Sequence, residues 1–200
     1  MGSEFLVYLR LGFEHISDLA GYDHILFIAA LCAVYQWDQW RQLLWLVTAF
    51  TLGHSVTLAL ATLNLITIND ALVEFLIPVT IFITSVLNIV EADPAVHRAA
   101  ATPRSWRLKY GLALGFGLIH GMGFSNFLRA VLGAEESIVW PLFAFNVGLE
   151  IGQLFIVFFF LLLALLMVRL VHMQRYDWVL VLSGATAGIA LTMMVERAVG

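Results

Sequence analysis

The chain has 200 residues, 62% of them hydrophobic and only 12% charged, with a net charge of −4 and a mean hydropathy of +0.93. A soluble domain carries about 25% charged residues, so a water-soluble globule is excluded and a polytopic membrane protein is expected. No basic face exists to hold nucleic acid, and one cysteine, Cys32, cannot form an internal disulfide.

Residues 1–5, MGSEF, contain the Gly-Ser and Glu-Phe pairs that two common cloning sites encode. They read as an expression scar that hides the native N-terminus and leaves room for a removed signal peptide, and residues 6–200 as a single transmembrane domain. Next comes LVYLRLGFEHISDLAG, an amphipathic stretch expected to lie in the outer interface or dip into the bundle. Its Glu14, His15 and Asp18 cluster on one turn, and the wet face of an interfacial helix is favoured over an entrance for cations.

Crossing a hydrocarbon core of about 30 Å takes roughly 20 residues. Six blocks approach or exceed that length, at 22–37, 43–65, 71–91, 108–131, 139–169 and 177–197. The first is short, and the fifth is overlong and should tilt or project. The one hydrophilic linker is EADPAVHRAAATPRSWR, residues 91–107. The expected fold is an all-α, six-helix transmembrane bundle with an N-terminal interfacial or re-entrant segment, and a homo-oligomer stays open. Arg41, Arg98, Arg104, Arg107, Lys109, Arg169 and Arg175 fall on one side and only Arg10, Arg129 and Arg197 on the other. The basic side faces the cytoplasm, which predicts a protein of the bacterial inner membrane with both termini outside.

Ionisable groups inside a bilayer are costly and mark function. GYDHILF places Asp23 and His24 at the outer end of the first block. FTLGHSVTL sets His54 about 17 Å into the second at 1.5 Å per residue, and GFGLIHGMGF sets His120 at nearly the same depth in the fourth. In the fifth, Asn146, Glu150 and Gln153 stand at i, i+4 and i+7 on one face, with Glu150 again near mid-depth. Each group taken singly has a structural alternative: a hydrogen bond between helices for a histidine, a protonated acid for Glu150, an N-cap for Asp23. Together, Asp23, His24, His54, His120 and Glu150 form a ligand set for a borderline divalent metal. Thr51, Ser55, Asn146 and Gln153, and the stripe Thr80, Thr84 and Asn88, are candidates to orient the imidazoles. Gly117 with Gly121, and Gly148 with Gly152, have the spacing that permits close helix contact, which would bring His120 and Glu150 to one ion. His97 and His172 fall in loops and read as surface residues.

In this order GYDHILF, FTLGHSVTLAL, GFGLIHGMGF and FNVGLEIGQL resemble the HupE/UreJ family of hydrogenase/urease accessory membrane proteins, in particular its second, UreJ-like branch. The resemblance spans residues 11–160. It implies a nickel or cobalt permease, often made with a cleaved signal peptide, and divalent-metal chemistry at Asp23, His24, His54, His120 and Glu150. The better-described branch has a histidine shortly before the Asp-His pair, whereas here His15 stands eight residues before Asp23. Phe116 and Gly123 occupy positions where that branch has a histidine and a glutamate.

Two function classes follow. The first is a permease or accessory protein that binds a divalent ion (nickel, cobalt or zinc) and passes it through the bilayer. The second is a zinc-dependent intramembrane hydrolase, in which metal-bound water of pKa about 7 is the nucleophile and Ser55, Asp23 or Glu150 assists proton transfer. A metal-binding partner without turnover is the third reading.

Overall fold

The computed structural model describes residues 2–66, 69–92, 103–132 and 138–199. Among the described residues there are helices and turns but no strand. The order is α1 (Gly2–Ser17), α2 (Asp23–Ala33), a 3-10 turn (Trp37–Gln39), α3 (Trp40–Thr62), α4 (Asp70–Glu91), α5 (Pro103–Gly123), α6 (Ser125–Leu132), α7 (Val139–Arg169) and α8 (Arg175–Val199). Much of the 91–107 linker, His97 included, lies outside the described residues.

Among the described residues, four helical stretches are long and apolar enough to cross a membrane: Trp37–Thr62, Asp70–Glu91, Val139–Arg169 and Arg175–Val199. Their outward faces are apolar, with Trp45, Trp140 and Phe155 each more than 60% exposed, as suits side chains that meet lipid. The other two expected spans fall short for different reasons. Helix α2 has 11 residues, about 16 Å at 1.5 Å per residue, half a hydrocarbon core. Helix α5 opens with PRSWRLK, so only its later part is apolar.

Close backbone contact builds the bundle from helix pairs. A Cβ on Gly53, Gly117 or Gly121 would collide with the carbonyls of Leu114, Phe50 and His54 respectively, so α3 and α5 lie backbone to backbone. Since Phe50 meets Gly117 and His54 meets Gly121, the two helices run parallel. A Cβ on Gly12 or Gly148 would collide with the carbonyls of Phe145 and Leu9, and one on Gly152 with the Ile16 side chain, so α1 docks along α7. These contacts correct the expectation that both glycine pairs join one interface: Gly117 and Gly121 serve α3, and Gly148 and Gly152 serve α1.

Polar contacts fix the remaining neighbours. Ser85 and Thr186 hydroxyls meet at 2.8 Å between α4 and α8, and Asn88 donates to the Ala30 carbonyl of α2 at 2.7 Å. At one end of the bundle the Arg175 guanidinium donates to the Val34 carbonyl. There too Lys109 pairs with Glu91 at 2.7 Å and lies over the rings of Trp106 and Tyr35, 5.4 and 5.8 Å from their centroids. The histidines gather toward the opposite end.

Candidate metal centre

Four imidazoles come from four helices. Gly12, His15 and Ile16 share one face of α1 by their i, i+3, i+4 spacing. Docking that face on α7 turns His15 inward while Glu14 and Asp18 stay exposed. His24 stands in the first turn of α2, His54 two-thirds along α3, and His120 three residues before the end of α5. Ring centroids are 4.7 Å apart for His15 and His24, 5.8 Å for His15 and His54, 6.0 Å for His24 and His54, and 5.0 Å for His24 and His120.

One ligand nitrogen from each of His15, His24 and His54 lies within 4.8 Å of the other two. Nitrogens on one tetrahedral ion, at about 2.05 Å from the metal, stand about 3.4 Å apart. The three rings therefore need to close by at most about 1.4 Å. His120 flanks this trio on the His24 side.

The surroundings are apolar. Phe124 lies 3.8 Å from the His15 ring, Phe145 stacks on His54 at 6.4 Å, and Phe27 and Phe50 stand 5.2 and 5.1 Å from His120. Yet His15 Nε2, His24 Nε2, His120 Nδ1 and both ring nitrogens of His54 are buried without a hydrogen-bond partner. A buried polar atom without a partner costs about 1–3 kcal/mol, and native interiors hold few of them. Five of them lie on these four neighbouring rings.

Two of the rings have their tautomer set by the hydrogen-bond network. The Thr80 hydroxyl donates its single proton to the Ile77 carbonyl at 2.7 Å, so at 2.9 Å from His120 Nε2 it accepts. Nε2 then carries the proton, and Nδ1 keeps its lone pair. For His24, Nδ1 faces Asp23 Oδ1 at 3.0 Å, leaving Nε2 with the lone pair. This carboxylate–histidine arrangement is the one that orients imidazoles for metals. No tautomer is imposed on His54.

The other sequence candidates are placed as follows. Asp23 accepts from the His24 backbone N–H at 2.8 Å as well as facing its ring, so it acts on His24 and not as a member of the nitrogen trio. Glu150 is separate from the cluster: it is half-buried, and accepts from Thr48 at 2.6 Å. Thr48 precedes His54 by six residues of α3, about 9 Å along the axis. The expected delivery of Glu150 to the histidines is thereby corrected. Its neighbour Phe145, not Glu150, is the α7 residue that faces His54. Asn146 accepts from Ser55 at 2.6 Å and Gln153 from Thr51 at 2.7 Å, so these residues tie α7 to α3 beside the site without reaching a ring. Thr84 bonds back to the Thr80 carbonyl and Asn88 holds α2. His172 is exposed in a left-handed turn, as expected of a loop residue.

The sequence reading left His15 on a wet face outside the ligand set, whereas it stands in the cluster, and it missed two further residues. Pro78 interrupts α4, and Arg197 at the end of α8 reaches Asp23 Oδ2 at 3.5 Å. The available signals were a proline inside an apolar block and a lone arginine at the end of another.

Neither curated proteins nor solved structures offer a match to the chain. The family model described as HupE / UreJ protein matches residues 1–197, which include all four histidines of the cluster. The chain belongs to the HupE/UreJ family.

Proposed function

We infer that this protein is a permease or accessory protein of the bacterial inner membrane. It binds a divalent transition-metal ion, of the nickel, cobalt or zinc kind, as substrate, and passes it through the bundle. The observation that carries the reading is the approach of one ligand nitrogen each from His15, His24 and His54 to within 4.8 Å of the others in an aromatic box, with buried, unpartnered nitrogens on these rings and on that of His120 beside them. Imidazole suits nickel, cobalt and zinc, whereas magnesium and calcium require oxygen donors that the trio lacks. His15, His24 and His54 hold the ion, His120 stands beside them as a fourth donor, and Asp23 and Thr80 set the tautomers of His24 and His120. Family membership supports the same chemistry.

In this reading α1 and α2 share one crossing and α5 makes another, which gives six, with the Lys109 and Arg175 end in the cytoplasm and both termini outside, in accord with the positive-inside rule. In the hydrolase reading Ser55, Asp23 or Glu150 moves protons at the metal, and Ser55 is bonded to Thr51 and Asn146. Glu150 is bonded to Thr48 and Asp23 is committed to His24 and Arg197, so the permease reading is preferred.

Uptake of nickel, cobalt and zinc into proteoliposomes, read by a metal-sensitive dye in the lumen, tests it. Saturable uptake that His54→Ala abolishes is expected. Uptake no faster than in empty vesicles, for all three metals, refutes it.

A further inference from the structure

Helix α4 contains Pro78. Proline has no N–H, so the carbonyl four residues earlier loses its helical donor. That carbonyl belongs to Glu74, and Arg197 Nη1 donates to it at 2.6 Å. The other arm of the same guanidinium, Nη2, stands 3.5 Å from Asp23 Oδ2. Asp23 Oδ1 takes the backbone N–H of His24 at 2.8 Å and faces its ring Nδ1 at 3.0 Å. The far side of that ring, Nε2, is buried without a partner and faces the other histidines. A break in one helix is thus connected, through one arginine and one carboxylate, to the ring with the most imidazole neighbours in the cluster.

We propose that Arg197 is a positioning residue for the metal centre: anchored on the carbonyl that Pro78 frees, it holds Asp23, and through Asp23 it holds His24 in the tautomer that offers Nε2 to the ion. The proposal rests on the metal-binding reading above. The guanidinium is suited to the task because its donors are fixed in a planar fork and reach two acceptors at once, which a lysine ammonium on a flexible stem does not do in the same way. The side chains of Arg197 and Asp23 are 27% and 13% exposed, so the contact is partly shielded from solvent. Arg197 reaches His24 through Asp23.

The test uses the full chain in detergent, labelled with 15N-histidine, first without metal and then titrated with zinc chloride. The His24 resonance is assigned by its loss in His24→Asn. Wild type is expected to show His24 as a single Nδ1–H tautomer. In Arg197→Gln the two tautomers should exchange, and the zinc Kd should weaken about 10- to 100-fold, the usual effect of removing a group that orients a ligand. Arg197→Lys should fall between the two. Pro78→Ala returns a helical donor to the Glu74 carbonyl and so weakens the anchor without touching Arg197. It should shift His24 in the same direction by less, and it keeps the test decisive if Arg197→Gln does not fold. A His24 ring that stays a single Nδ1–H tautomer in both Arg197→Gln and Pro78→Ala overturns the proposal, whatever happens to zinc affinity. A wild-type protein that binds no zinc, nickel or cobalt defeats the metal reading instead, and the metal-free tautomer still decides the role of Arg197.

Discussion

Gly121→Ala adds one methyl where α5 touches α3, and the structure sets its size. The new carbon would lie 2.8 Å from His54 Cα and closer still to the His54 carbonyl oxygen and the Thr57 hydroxyl. Carbon atoms pack at about 3.5–4.0 Å, so α5 must retreat from α3 by about 1 Å at the turn that carries His54. Overpacking of this kind costs about 1–3 kcal/mol. Metal sites accept ligand distances within about 0.2 Å, so the shift should also weaken metal binding. Helix α5 supplies its own controls, because a Cβ on Gly111 or Gly115 meets nothing within 4 Å. There alanine should be neutral or should stabilise by up to about 1 kcal/mol through helix propensity. Gly117→Ala, whose methyl would meet Phe50 one turn away, should destabilise like Gly121→Ala but affect metal less. Thermal melting in detergent and zinc titration of the four variants read both effects. If Gly121→Ala melts at the same temperature as Gly115→Ala, the backbone contact between α3 and α5 is wrong.

Other expectations follow from single contacts. Thr80→Val keeps the shape but removes the acceptor for His120 Nε2, so it should lower stability by about 1–3 kcal/mol and lower metal affinity. Thr80→Ser should restore both, as measured by melting and titration. Lys109→Met breaks the pair with Glu91 at the end away from the histidines, so melting temperature should fall while metal affinity stays within about twofold. Topology reporters fused after Gly200 and at residue 100 should report opposite sides of the membrane, since the latter sits in the basic loop.

The apolar blocks made the long helices legible, and the common depth of His54 and His120 made their approach to His24 legible. Depth counting fails where azimuth decides. Glu150 was expected at the site because it stands near the level of His54, yet the α7 face it occupies meets Thr48, and Phe145 meets His54. His15 illustrates the opposite case. Its charged neighbours suggest a wet turn, but adjacent helical residues point about 100° apart, and Gly12 with Ile16 draws that one face onto α7. The glycine spacing marked close contact without naming the partner helix, because a small residue admits whichever backbone arrives. The link from Pro78 through Arg197 to Asp23 joins three helices far apart in sequence, and nothing in local patterning places them together.

The central claim is that histidines from α1, α2 and α3, and not a carboxylate from α7, hold the ion. It is tested most directly by metal content and zinc or nickel affinity of the purified protein beside His15→Ala and Glu150→Gln. The account predicts one ion per chain in wild type, at least about a tenfold loss of affinity in His15→Ala, and an affinity within about twofold of wild type in Glu150→Gln. Full affinity in His15→Ala together with loss in Glu150→Gln would contradict it.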